Sequence, residues 1–324
     1  MRAVVVQETG GPEVLMTVEK PSPRPDPGEL LVDVAAAGVN FIDVYYRTGV
    51  YPLQTPFVVG SEGAGVVSAV GSGVTGFQEG DHVAWAMVPQ AGYAEQVIVP
   101  AVRAVPVPAS IDDETAGAVL LQGMTAHYLT RSTYPAKAGD TALVHAAAGG
   151  VGLLLTQVLS ARGVRVIATT STESKAALAL GAGAAEVIRY DKDDVAAEVA
   201  RLTDTQGVDV VYDGVGASTF DSSIDSLRPR GMFVLFGAAS GKVAPVDPLL
   251  LLAKGSLFFT RPSLAHYVAA QEELLERAND VFGWVASGEL SVRVGARYSL
   301  DQAQQAHQDL ESRLTTGKSL IIPR

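Results

Sequence analysis

Apolar and polar positions follow two different rhythms along this chain. Up to about residue 109 the apolar runs are short and broken by turns, and residues 2–6, 30–36, 63–70, 82–85 and 94–99 read as strands. Residues 21–27 are proline-rich and Gly71-Ser72-Gly73 is a turn cluster, so this part predicts a small β-barrel-like domain with few helices. Asp112-Asp113-Glu114 then opens a helical stretch over 115–121, with acidic residues where the helix dipole favours them, and 125–130 continues it. From about residue 120 to 260 strand and helix alternate. Strands fall at 141–145, 164–168, 186–188, 208–212, 232–236 and 256–260, with helices from Leu153 and over 173–180, 193–202 and 220–227. That order predicts a doubly wound parallel sheet. The tail reads as a long helix over 264–286, a strand over 292–298, a helix over 301–312 and a closing strand over 319–322. The chain is therefore expected to be α/β. A β-rich domain of residues 1–120 and 262–324 surrounds a parallel-sheet domain of residues 121–261, with a substrate cleft between the two.

One stretch carries specific chemistry. Residues 141–145 form a short buried strand, Ala146-Ala147-Ala148-Gly149-Gly150-Val151-Gly152 a turn, and an apolar helix follows before the next strand. Strand, glycine turn, helix and strand make the unit that lays a dinucleotide pyrophosphate on a helix N-terminus. Glycine lets backbone N–H groups approach the phosphates, and the helix dipole favours their charge. Against the G-x-G-x-x-G pattern the slots are Ala147, Gly149 and Gly152, so alanine replaces the first glycine.

Composition narrows the reading. The 324 residues are 48% hydrophobic and 18% charged, with 33 glycines, which describes a globular chain long enough for two cores. A net charge of −11 disfavours a broad nucleic-acid or anionic-membrane surface. The absence of cysteine removes disulfides, thiolate nucleophiles and every cysteine zinc site. The first residues resemble a strand start rather than a signal peptide, and no apolar run approaches the roughly eighteen residues of a membrane span. A soluble cytoplasmic protein is expected.

Several blocks occur together and in order: Gly10-Gly11-Pro12-Glu13-Val14-Leu15, Asn40-Phe41-Ile42-Asp43-Val44-Tyr45, Gly60-Ser61-Glu62-Gly63-Ala64-Gly65, the glycine turn, Val211-Tyr212-Asp213, Gly255-Ser256-Leu257 and Thr260-Arg261-Pro262-Ser263. On these the chain resembles the zinc-independent quinone oxidoreductases, the zeta-crystallin branch of the medium-chain dehydrogenase/reductase superfamily, from its first strand to its last. The resemblance implies a GroES-like catalytic domain split around a Rossmann domain, NADPH as donor, a quinone or other conjugated carbonyl as acceptor, and a homodimer. It implies reduction of quinones, by family analogy to semiquinones. The rival is an NADPH-dependent enone or alkenal double-bond reductase, which needs a proton for the α-carbon. A non-catalytic role, as a lens protein or an RNA binder, is disfavoured by the charge and by the lack of an aromatic–basic stretch.

Zinc-dependent relatives carry cysteine where this chain has Asn40 and histidine where it has Ser61, and neither replacement ligates zinc well. Glu62 reads as a hydrogen-bonded structural carboxylate. Hydride transfer without a Lewis acid suits an acceptor whose charge spreads over several atoms.

At the end of the second nucleotide-domain strand, where NAD-preferring folds place a carboxylate, stands Thr169-Thr170-Ser171-Thr172. No acid repels a 2′-phosphate there, and the small hydroxyls, Thr172 among them, can donate to it. By resemblance Ser171, Lys175 and Tyr190 clasp that phosphate, with Glu173 an awkward neighbour. The resemblance also places Asn40, Tyr45, Thr125 and Tyr128 around the nicotinamide and its ribose. It puts Gly149, Gly150, Val151 and Gly152 at the pyrophosphate, and Val215, Phe236, Gly237 and Arg261 on the other side. Asn40, Tyr45, Tyr51 and Arg261 are the candidate catalytic residues, the two tyrosines for the acceptor ring or proton delivery. The five histidines, His82, His127, His145, His266 and His307, read as structural. No general acid stands out. Apolar strands at the end of the parallel sheet, 232–236 and 256–260, leave an edge that invites pairing between subunits.

Overall fold

In the strand Glu29–Gly38 the side chains of Leu30, Val32, Val34 and Ala36 are all buried, and this strand organises the first of two units. The structure, a computed structural model, describes residues 1–324. Unit one comprises Met1–Met124 and Val268–Arg324, unit two Thr125–Tyr267. In unit one, Glu29–Gly38 pairs antiparallel with Glu62–Val70, with Gln96–Pro100 and, at its end, with Lys318–Ile321. The seven-stranded sheet is completed by His82–Ala86, Val105–Pro106 and Val294–Tyr298, and a three-stranded sheet is built on Arg2–Val6. Trp85 and Tyr93 are fully buried in the core, and the Trp85 Nε1–H donates to the Ala91 carbonyl at 2.6 Å, so the large rings are buried with their polar atoms satisfied.

Unit two is a six-stranded, all-parallel sheet. Its order is Glu186–Arg189, Arg165–Thr170, Thr141–Val144, Val208–Asp213, Leu227–Leu235 and Phe258–Thr260. Ala142, Leu143, Val144, Val166, Ile167 and Ala168 have no exposed surface, the continuous apolar run that a strand covered on both faces requires. Strand order reverses between Thr141–Val144 and Val208–Asp213. The carboxyl ends at that switch point are where such sheets hold ligands.

The helix Asp113–Tyr128 is continuous, carrying the stretch over 115–121 on past residue 125 as read. Its glycines serve close packing: a Cβ on Gly117 would stand 2.9 Å from the Ala36 carbonyl, and one on Gly123 2.6 Å from Val281 Cγ1. Tertiary approach thus overrides glycine's poor helix propensity. The long helix over 264–286 is two helices, Leu264–Tyr267 and Gln271–Ser287. Between them the Val268 carbonyl accepts the Arg103 guanidinium, which takes an acceptor away from helix propagation. Within unit one, Phe41–Arg47 is a helix unread in the pattern of strands.

Candidate active site

In unit two the glycine turn does what its composition demands. The helix Gly150–Ala161 starts at Gly149 with no side-chain cap, and its first intrahelical bond runs from Leu153 N–H to Gly149 O at 2.9 Å. The N–H groups of Gly150, Val151 and Gly152 have no intrahelical acceptor and point out of the helix end. A Cβ on Gly152 would meet Ala146 O at 2.4 Å and Ala147 Cα at 2.7 Å, so glycine is obligatory for the close approach of turn and helix. The left-handed residue of the turn is Ala146, with φ of 50°. These residues fit a dinucleotide pyrophosphate.

The neighbouring strand ends gather several of the other candidates. Tyr190 N–H donates to Thr170 O at 3.2 Å, which sets Tyr190 beside the turn that carries Ser171. Thr172 caps the helix Glu173–Gly181 by accepting Lys175 N–H at 3.2 Å. Glu173 is paired with Arg189 at 3.0 Å, and Arg189 also holds Asp191, so one guanidinium is shared between two carboxylates. Two turns at the far side interlock. Asp213 Oδ1 accepts Val215 and Gly216 N–H, while Phe236 and Gly237 N–H both reach Asp213 O. Gly237 has to be glycine, because a Cβ there would stand 2.4 Å from Gly214 O. His145, at the strand end, contacts Thr169 Oγ1 at 3.1 Å and Ser223 Oγ at 3.0 Å. Ser223 donates onward to Asp213, so His145 laces three strand ends together and both its nitrogens are occupied. Thr125 is buried. Tyr128 is 1% exposed and stacks on Tyr267 with ring centroids 4.3 Å apart, and burial pushes its hydroxyl pKa up. Arg261 is exposed and donates to Pro262 O at 3.0 Å.

Unit one holds a second cluster. Asn40 precedes the helix Phe41–Arg47 and its N–H donates to Asp43 Oδ2 at 3.1 Å. Its amide is gripped from both ends: Lys318 Nζ donates to Oδ1 at 2.8 Å, and Nδ2 donates to Glu62 Oε2 at 2.9 Å and to Gly38 O at 3.2 Å. An ammonium only donates and a carboxylate only accepts, so the amide can stand only one way. Lys318 and Glu62 form an ion pair at 2.6 Å with side chains 1% and 0% exposed. The other Glu62 oxygen accepts Leu121 N–H at 2.7 Å. Tyr45 and Tyr51 meet edge to face at 5.2 Å, with Tyr51 N–H on Tyr45 O at 3.0 Å, so both acceptor-ring candidates share one aromatic corner. Histidine, cysteine, aspartate and glutamate side chains nowhere converge in threes as a metal site. With Asn40, Ser61 and Glu62 engaged by protein groups, the residues do not fit zinc.

Behind Asn40 runs a buried chain. Ser61 Oγ donates to Asp43 Oδ1 at 2.8 Å. The Tyr93 hydroxyl contacts His307 Nε2 at 3.1 Å, and Arg47 Nη1 reaches His307 Nδ1 at 3.1 Å. Because guanidinium only donates, Nδ1 accepts and Nε2–H donates to the Tyr93 hydroxyl. Arg47 is closed off by Glu311 at 2.8 Å. Burial raises the Asp43 pKa to about 7 against the lowering effects of Ser61, Lys318 and Asn40, and burial with Arg47 lowers that of His307 to about 3. Sequence reasoning missed Asp43, Tyr93, Arg47 and Lys318 as a network. Only Asn40-x-x-Asp43, a helix-start pattern, signalled any of it.

Comparison with known proteins agrees with both units. The alcohol dehydrogenase GroES-like domain matches residues 26–109 and the zinc-binding dehydrogenase family matches 150–277. A quinone oxidoreductase of Pseudomonas aeruginosa is 45% identical over 315 residues, covering 97% of each chain. The chain belongs to the quinone oxidoreductase family. Within that family's structural neighbourhood, a mycobacterial protein solved in complex with NADPH is 51% identical, with a TM-score of 0.97 over 100% of both chains. The Escherichia coli quinone oxidoreductase complexed with NADPH is 43% identical, with a TM-score of 0.96 over 100% of both chains. A 2-haloacrylate reductase of Burkholderia is 39% identical over 99% of each chain.

Proposed function

We propose that this protein is an NADPH-dependent quinone oxidoreductase that works without zinc. The observation that carries this is the end-to-end likeness, in sequence and fold, to a quinone oxidoreductase solved with NADPH. NADPH supplies the hydride when bound. The N–H groups of Gly150, Val151 and Gly152, with Gly149, receive the pyrophosphate, and Ser171, Thr172, Lys175 and Tyr190 the 2′-phosphate. Asn40, Tyr45, Thr125, Tyr128, Val215, Phe236, Gly237 and Arg261 serve the nicotinamide end. Asn40, Tyr45, Tyr51 and Arg261 are the catalytic set, in which Arg261 meets developing negative charge. The support for the 2′-phosphate assignment is local: Arg189 draws the Glu173 carboxylate into an ion pair.

The unit of residues 1–120 and 262–324 is proposed as catalytic and 121–261 as the cofactor domain. No helix is long and apolar enough to cross a membrane, and we assign the protein to the cytoplasm. A homodimer is proposed through the edge strand Phe258–Thr260, where Phe258 is 59% exposed; Leu249 and Leu252 of the helix Pro248–Ala253 are exposed as well.

The test is the dissociation constant of NADPH beside that of NADH, for wild type and Lys175→Ala. A charge-assisted phosphate contact contributes roughly 1.5–3 kcal/mol, about ten- to a hundredfold in affinity. NADPH should bind more tightly and the variant should lose that margin; equal binding by wild type refutes the clasp. Reduction of the carbon–carbon double bond of a conjugated substrate is the second reading, favoured by the likeness to 2-haloacrylate reductase. Faster turnover of a linear enone than of 9,10-phenanthrenequinone would decide for it.

A further inference from the structure

Within unit two, Arg189 holds its two carboxylates unequally. It closes the strand Glu186–Arg189, opposite Thr170 in the parallel ladder. Nε donates to Asp191 Oδ1 at 2.8 Å and Nη2 to Asp191 Oδ2 at 2.7 Å, a two-point grip that fixes the guanidinium plane. Glu173 takes a single contact, from Nη1 to Oε2 at 3.0 Å, and its side chain is 92% exposed. A guanidinium has five N–H groups, so one on each terminal nitrogen is left for another acceptor. One cation also cannot balance two carboxylates, and an exposed single-point pair contributes little to stability. Glu173 is therefore the partner that is easily released. It stands at the first position of the helix Glu173–Gly181, two residues from both Ser171 and Lys175. Arg189 adjoins Tyr190, whose N–H is bound to Thr170 O beside Ser171.

We propose that Arg189 is a further ligand of the 2′-phosphate and that Glu173 holds the place of that anion until the cofactor binds. The inference rests on the 2′-phosphate reading above. A phosphate monoester carries a charge of roughly −1.5 to −2 and three acceptor oxygens, against one charge on a carboxylate, so it displaces Glu173 from Nη1. Glu173 turns into solvent, as its exposure allows, because two anions on one side of a guanidinium repel each other. Asp191 keeps the guanidinium in place throughout. NADH brings no such anion and leaves the pair closed, so Arg189 distinguishes the two cofactors.

The experiment measures the dissociation constants of NADPH and NADH by fluorescence titration for wild type, Arg189→Gln, Glu173→Gln and the double variant. Arg189→Gln should weaken NADPH about tenfold, one charge-assisted contact, and leave NADH unchanged. Glu173→Gln should tighten NADPH by about threefold, the scale of an exposed pair, and also leave NADH unchanged. Either substitution breaks the ion pair, so a purely structural pair would shift both variants the same way, and that result overturns the proposal. So does an Arg189→Gln variant that binds both cofactors more weakly by one factor. In the double variant the loss should persist; a return to wild-type affinity would mean that Arg189 only screens Glu173, and overturns the proposal as well. Failure of the underlying reading looks different. A wild type that binds NADPH and NADH equally overturns the 2′-phosphate reading and this inference together. A preference for NADPH that Lys175→Ala loses and Arg189→Gln keeps overturns this inference alone.

Discussion

Asp43→Asn should expose an acid lability that wild type hides. Two buried groups of unit one titrate in opposite senses. Asp43 is raised from 3.8 to about 7, so the folded protein binds a proton that the unfolded chain releases. Its contribution to stability is complete below pH 3.8 and is lost as pH rises through 7. His307 is lowered from 6.5 to about 3, so the unfolded chain binds the extra proton. Its contribution is complete above pH 6.5 and is lost as pH falls toward 3. One proton of difference between the folded and unfolded chains changes stability by about 1.4 kcal/mol per pH step of one, so between pH 4 and 6.5 the two slopes nearly cancel. Removing the Asp43 titration leaves the His307 slope uncompensated. The stability of Asp43→Asn relative to wild type should therefore rise by about 4 kcal/mol between pH 4 and 7. Equilibrium urea unfolding at one-step pH intervals measures this. Tryptophan fluorescence is the right probe, because Trp85 and Trp284 both lie in unit one. A difference between variant and wild type that stays constant from pH 4 to 7 would refute the argument, whatever its size.

Other consequences follow from single contacts. Lys318→Met strands the Glu62 carboxylate in a fully buried position and should cost about 3–5 kcal/mol in chemical denaturation, with much of the loss restored by adding Glu62→Gln. Gly152→Ala places a methyl against backbone atoms at 2.4 and 2.7 Å that cannot move aside, so NADPH affinity measured by fluorescence titration should drop at least tenfold. Phe258→Asp charges an exposed apolar edge and should convert a dimer to a monomer in light scattering; a wild type that is already monomeric disposes of the dimer proposal.

Much of unit two was legible in the chain itself. Strands covered on both faces have to be apolar throughout, so 141–145, 164–168 and 208–212 announced themselves, and helices between them left a parallel sheet as the consistent order. The glycine turn was equally plain, because only glycine permits the approach of Gly152 to Ala146 and Ala147. The lack of cysteine needed no structure at all. Hydrophobic periodicity says which face is buried; it does not say which polar group will meet which. Lys318 and Glu62 are 256 positions apart and His307 and Arg47 260, and only the return of the tail to unit one turns them into an ion pair and a fixed histidine tautomer. The same holds for the break after Tyr267, where helix-forming residues yield to an arginine more than 160 positions earlier. Local sequence determined the elements and the phosphate turn. The pairing of buried charges, and with it the titration of Asp43, was decided by tertiary structure, because the free energy of a buried polar group depends on the partner it finds there.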